Sequence, residues 1–242
     1  MMKRSLHAAL SAALAAVLPA ASGTELECGA GAPLVSPLRL EYAITATRSA
    51  LSISGEAAVV FRRKGDAYTM ESTQQALGLV EARQNSAGTV GREGLVPRTF
   101  TQRSSRRPPL SVDFDWATQQ VTFSQTGASA PTRPQMQDRL SLLFQLGWRQ
   151  RTEPRASEIE LPVAVQRSTS TYLFTARGSE MLDLPIGRFE TVKYERHRHD
   201  SDDAMEVWLA PGLCSLLVRL RFTDDKGLVI DQQLRAVQVL AP

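Results

Sequence analysis

Polar and apolar residues alternate along most of the chain. Leu38, Leu40, Tyr42 and Ile44 share one parity, with Arg39 and Glu41 between them. Leu110, Val112, Phe114 and Trp116 alternate with Ser111, Asp113 and Asp115. Leu216, Val218, Leu220 and Phe222 alternate with Leu217, Arg219 and Arg221. Successive side chains of a strand point to opposite faces, so each run predicts one face on a core and one in water. Parallel strands, covered on both faces, read as continuous apolar runs; alternation therefore points to antiparallel pairing.

Turn residues punctuate these runs. Lys64-Gly65-Asp66 separates Val59–Arg63 from Tyr68–Thr73, and Asp224-Asp225-Lys226-Gly227 separates Leu216–Phe222 from Leu228–Ala236. Short glycine-containing loops between alternating runs predict hairpins. Pro185-Ile186-Gly187 and Pro211-Gly212 mark further turns. The spacing suits roughly ten to twelve strands.

One segment departs from the period of two. Between Gln137 and Gly147, the residues Leu140, Leu143, Phe144 and Gly147 recur at helical spacing. The expectation is a short helix that buries Leu140, Leu143 and Phe144, exposes Gln137 and ends at Gly147. Ala128–Pro134, rich in Pro and Ser, reads as the linker before it, and the polar Arg149–Ser157 follows. The predicted fold is mainly β: a single antiparallel, strongly curved or barrel-like sheet with one short helix across an end or mouth.

The N-terminus changes the picture of where the protein works. Lys3 and Arg4 precede an apolar run from Leu6 to Leu18, followed by Pro19 and the small residues Ala20 to Gly23. That order is the tripartite secretory signal, and the run is shorter than the roughly 20 residues a membrane span needs. The expected division is a cleaved leader over 1–23, a lead segment over 24–37 and one β-rich domain over 38–242. The mature protein is expected in the periplasm, and not as an integral membrane protein. Glu25-Leu26-Glu27 stands before Cys28 where a lipid-anchor site carries small residues, which excludes that anchor.

Of the 28 Lys and Arg, two leave with the leader, and the remaining 26 face 25 Asp and Glu, a net charge of +1. Near-neutrality leaves no electrostatic footprint for nucleic acid. The two cysteines, Cys28 and Cys214, form an even pair in an oxidising compartment, which favours one disulfide over two separate thiols.

Four motifs occur in order: Gln137-Asp138-Arg139-Leu140-Ser141; Leu184-Pro185-x-Gly187-x-Phe189-x-Thr191; Glu206-Val207-Trp208-Leu209-Ala210-Pro211; and Phe222-Thr223-Asp224-x-x-Gly227. Together they resemble the bacterial exported family called domain of unknown function 3108, over about Leu38 to Leu234. The resemblance implies export and a β-rich, barrel-like fold. It implies no established activity, and no cofactor is expected.

Candidate chemistry is sparse. His197 and His199 on one strand face, with Asp200 or Asp202, have the donor types of a metal site. Arg196 and Arg198 beside them favour a solvated hairpin tip instead. No Gly-x-Ser-x-Gly elbow is present. Asp113 and Asp115 share the wet face of a strand. Asp138 stands where it caps a helix, and Arg139 is expected to reach a carboxylate, Glu206 first among them. Asp138, Arg139, Glu206 and Trp208 are the candidate ligand-binding residues. The functional expectation is a non-enzymatic binder of an apolar ligand or a cell-envelope component, by fold-level analogy with barrel-shaped periplasmic carriers. Its rivals are an envelope assembly factor without a pocket and a metal-dependent hydrolase using His197 and His199.

Overall fold

The structure, a computed structural model, describes Leu26 and residues 36–76, 79–105, 107–197 and 203–241. Its first half carries β1 (Leu38–Arg48), β2 (Leu51–Lys64), β3 (Ala67–Ala76), β4 (Leu79–Gly91), β5 (Gly94–Ser104) and β6 (Arg107–Asp115), then the short β7 (Gln120–Phe123) and β8 (Ser129–Pro131). The helix α1 spans Ser141–Thr152. The second half carries β9 (Glu158–Ala164), β10 (Thr169–Leu184), β11 (Gly187–His197), β12 (Ala204–Ala210), β13 (Leu216–Thr223) and β14 (Val229–Val239), with a 3-10 turn at Pro211–Leu213.

All fourteen strands among the described residues form one sheet, in the order β8-β7-β6-β5-β4-β3-β2-β1-β14-β13-β12-β11-β10-β9. Every neighbouring pair is antiparallel. The two halves join at β1 and β14, and β8 and β9 are the free edges, so the sheet is not closed. Part of the stretch expected as a linker is the edge strand β8. Its Pro131 is tolerated there because an edge strand leaves N–H positions unused.

The sheet is strongly curved. The backbone of Gln137 pairs with β9, donating to Pro162 O (2.9 Å) and accepting from Ala164 N–H (2.8 Å), while its side-chain amide donates to Leu95 O on β5 (2.9 Å). β5 and β9 stand ten strand spacings apart, about 48 Å across a flat sheet. One glutamine reaches both only because the sheet curls round. The segment 133–140 is thus a strap across the concavity: Arg133 also donates to Thr171 and to Ser170 O on β10 (2.8 and 3.0 Å). Gln137 is fully buried, contrary to the exposure expected of it. It is a backbone-pairing residue of the strap, so the helical face that placed it in water does not extend to it.

The concave face holds the core, with Leu38, Leu40, Tyr42, Val59, Phe61, Tyr68, Met70, Phe100, Val112 and Phe174 all buried. α1 fills one end. Phe144 stacks on Phe61 with ring centroids 5.9 Å apart, although Phe144 and Leu143 are only half-buried. The helix buries Ser141, Leu142, Gln145, Leu146, Gly147, Trp148 and Gln150. Its polar members are occupied. Gln145 accepts from Leu95 N–H (2.8 Å) and donates to Glu93 O (2.6 Å), clamping the β4–β5 turn, and Gln150 accepts from the Ser215 hydroxyl. Gly147 lies inside the helix and does not end it. Its Cβ position is 2.4 Å from Ser215 O, so the helix backbone packs directly on the turn before β13. No helix of the described residues is long and apolar enough to cross a membrane.

Candidate functional site

Asp138 ends the strap and begins the helix. Its carboxylate accepts from the N–H groups of Leu140 and Ser141 (both 2.8 Å), and its carbonyl accepts the first helical bond from Leu142 (3.1 Å). Ser141 returns the contact by accepting from Asp138 N–H (3.0 Å), a capping-box arrangement with serine in place of the usual Glu or Gln. The second carboxylate oxygen accepts from Ser86 (2.5 Å), and the Tyr68 hydroxyl lies 3.0 Å from Ser86 Oγ. Burial pushes the Asp138 carboxyl up to about 6, against these hydrogen bonds, which pull it down. Burial and the Asp138 charge hold the Tyr68 phenol well above its ordinary value. The carboxylate is sealed from solvent, so its chemistry is that of a helix cap.

Arg139, one residue on, is solvent-exposed. It does not meet Glu206. Among the described residues it has no hydrogen bond or ion pair. Its charged neighbours are other cations: burial first, then the charges of Arg107 and Arg196, lower its proton affinity, and Tyr172 opposes them. Arg139 as a whole stays exposed while the surrounding protein withdraws part of its hydration. Arg196 is 6% exposed, its guanidinium lies 4.7 Å from the Tyr172 ring centroid, and its Nε has no partner. One terminal nitrogen of Arg196 donates to Asp203 O (3.3 Å).

Strand register explains why these groups converge. Tyr172 and Phe174 share the inward parity of β10, and Arg196 pairs with Phe174. On β6 the buried positions are Leu110, Val112 and Phe114, so strict alternation turns Arg107 outward. A register shift intervenes: Gln102 pairs with Leu110, but Ser104 pairs with Arg107. The extra residue puts Arg107 opposite Ser104, which shares the parity of the buried Phe100 and Gln102.

The registers also align one inward row across six strands: Ile53, Ala46, Ile230, Phe222, Met205 and Arg196 are successive cross-strand partners. Here the concave face is open: Ile53 is 49% exposed and Leu51, next on the same face, 77%, while Ala46, Ile230, Phe222 and Met205 are half-buried.

Glu206 and Trp208 lie on the opposite, outer face and are locked there. Glu206 pairs with Lys193 (2.5 Å) and Arg221 (3.9 Å). Trp208 is 4% exposed between Lys193 and Arg219, 5.1 and 4.9 Å from its ring centroid, and its indole N–H donates to Glu180. Arg219 is held in turn by Asp231. This closed stack staples β11 to β14 and leaves no room for a ligand. Asp113 and Asp115 are exposed, and Asp115 accepts from Ala117 and Thr118 N–H in the turn after β6. An open groove of about 520 Å³ on the outer face of β3 to β6 is lined by residues such as Glu71, Arg83, Arg103 and Thr101. No buried unpartnered group of the described residues lies in it.

His199 and Asp200 lie outside the described residues, as does the His197 side chain. Among the described residues no cluster of three metal-ligating side chains occurs. Cys214 is 3% exposed, at the end of the 3-10 turn, and no free cysteine is among the described residues; Cys28 lies outside them.

The profile of a family described as protein of unknown function (DUF3108) matches residues 41–233. The chain belongs to the DUF3108 family. No curated protein matches this DUF3108 protein, but 24 chains of solved structures do. One is a β-barrel-like protein of domain of unknown function DUF1849 from Brucella abortus, 8% identical with a TM-score of 0.56 over 85% of this chain and 98% of that one. That likeness establishes a shared barrel-like fold and nothing of activity. The hypothetical protein CT021 from Chlamydia trachomatis (9% identity, TM-score 0.30, 84% and 92% covered) carries no argument at that TM-score. The same holds for a DUF1329 family protein from Desulfovibrio piger (8%, 0.27, 84% and 85%).

Of the four ligand-binding candidates, only Arg139 has no hydrogen bond or ion pair among the described residues. Sequence reading missed Arg107, Arg196 and Tyr172. The parity of Arg196 with Tyr194 is a signal for one of them; the shift that sets Arg107 opposite Ser104 leaves no trace in the pattern.

Proposed function

We propose that this DUF3108 protein is an exported, non-enzymatic binder that holds the apolar part of a cell-envelope component on the open portion of its concave face. The observation that carries this reading is the inward row from Ile53 to Met205. Those positions continue the core's parity beyond the region that α1 covers, and they stay accessible. Isolated exposed apolar residues are ordinary on any protein, but a register-aligned row on a concave face is a binding surface. The row spans four strand spacings from β2 to β12, about 19 Å, and leads toward unpaired cations. That polarity fits an amphiphile. The tripartite N-terminus supports export, and a Cys28–Cys214 bridge belongs to the same reading. The sealed position of Asp138 favours a binder over an enzyme that uses it as an acid.

The test is a titration of the mature protein with the neutral apolar dye N-phenylnaphthylamine, whose fluorescence rises out of water. Enhancement by the native protein, lost in an Ile53→Glu variant of unchanged unfolding midpoint, supports the reading. No enhancement by the native protein, or equal enhancement by the variant, overturns it.

A further inference from the structure

The three arginines at the end of the apolar row are not arranged as structural arginines of this protein are. Arg39, Arg149, Arg219 and Arg235 each meet a carboxylate. Arg107 and Arg139 meet none among the described residues, and Arg139 senses Arg107 and Arg196 as like charges. The adjacent carboxylate is no counter-ion, because Asp138 is turned into the core and its oxygens are taken by Ser86, Leu140 and Ser141. Arg196 is the most costly of the three: 6% exposed, with an unpartnered Nε. A buried guanidinium with an open donor is uncommon in a finished core and calls for an acceptor. The Tyr172 ring supports its face and leaves its edge for hydrogen bonding.

Local structure holds the cluster in place. The backbone of Arg139 is placed by the strap and by the capped start of α1 on either side of it. Arg196 is held by its strand, the Tyr172 ring and Asp203 O, and the register shift in β5–β6 sets the exposed Arg107 opposite Ser104. Converging guanidinium groups supply forked N–H donors, the complement of a multi-oxygen anion.

We propose that Arg107, Arg139 and Arg196 form an anion site that takes the phosphate or carboxylate headgroup of an amphiphile whose tail lies along the Ile53–Met205 row. This rests on the apolar-binding reading above and adds the headgroup chemistry. The tail and head positions are adjacent by register, since Met205 pairs with Arg196.

Calorimetric titration of the mature protein with decyl phosphate, decyl maltoside and inorganic phosphate tests the site, using the native protein, Arg139→Gln and Arg107→Gln. Arg139 is exposed and unpaired, so its replacement is expected to leave the unfolding midpoint unchanged. The expected result is tighter binding of decyl phosphate than of decyl maltoside, with a loss of about tenfold or more for decyl phosphate in Arg139→Gln and little change for the dye. Equal affinity of the native protein and Arg139→Gln for decyl phosphate overturns the anion site while leaving the apolar reading in place. Arg139-dependent binding of inorganic phosphate as tight as that of decyl phosphate overturns the amphiphile assignment in favour of a free anion. Arg139-dependent decyl phosphate binding by a protein that does not bind the dye supports the anion site and removes the apolar reading.

Discussion

Gly147 in α1 and Ser215 before β13 touch backbone to backbone: a β-carbon on Gly147 would stand 2.4 Å from the Ser215 carbonyl oxygen. The contact seats the helix on the second half of the sheet, beside the Ser215–Gln150 hydrogen bond and the bond from Arg151 to Cys214 O (2.5 Å). In an isolated helix Gly147→Ala is favourable by about 1 kcal/mol. Here the obstacle is main chain, which has no rotamer to change. The variant is expected to lose about 1–3 kcal/mol in urea unfolding. A stabilised variant would contradict the packing.

Asp138 makes stability depend on pH in an identifiable direction. Its folded-state pKa of about 6 lies above the ordinary 3.8, so the folded protein holds this proton more tightly than the unfolded chain does. The stabilisation from that proton is fully present below the ordinary value and is lost as pH rises through about 6. Asn at 138 keeps an acceptor for Leu140 and Ser141 N–H but carries no charge. Relative to the native protein, Asp138→Asn is expected to gain up to about 3 kcal/mol between pH 4 and pH 7. Parallel stability profiles for the two proteins would show that the carboxylate is not titrating there.

Gln145 clamps the β4–β5 turn through two bonds from one amide. Gln145→Leu removes both and leaves Leu95 N–H, a buried donor, without its acceptor. A loss of about 2–3 kcal/mol in unfolding free energy is expected. A smaller loss, below about 0.5 kcal/mol, would mean that water replaces the amide.

Export and the disulfide are checked together. Protein recovered from the periplasm of an expressing host is expected to lack about 22 or 23 residues. Unfolded without reductant, it is expected to show no titratable thiol. An uncleaved cytoplasmic product, or two reactive thiols in a periplasmic one, would contradict these expectations.

Much of the fold was legible because a period of two is a direct imprint of a half-buried strand. Leu38, Leu40 and Tyr42 are buried as their alternation implies, and so are Leu110, Val112 and Phe114. At Gln137 strap and helix run together in sequence, and only the pairing of the strap with β9 shows where one ends. Gly147 reads as a terminator in the sequence because the turn pressed against it leaves no mark there. The site was less legible still. Glu206 and Trp208 drew attention as a motif, yet they lie on the outer face, held by Lys193 and Arg219. Arg107 comes opposite Ser104 through a register shift that alternation cannot encode, and Arg139 and Arg196 are neighbours only because the sheet curls.

The most direct test of the binding surface is mass spectrometry of the lipid-soluble material extracted from protein purified from the periplasm, native against Ile53→Glu at equal folded mass. The expected result is an amphiphile with an anionic head, near one per native chain and strongly depleted in the variant. Native protein free of any bound amphiphile, or the same amount on both proteins, would contradict it.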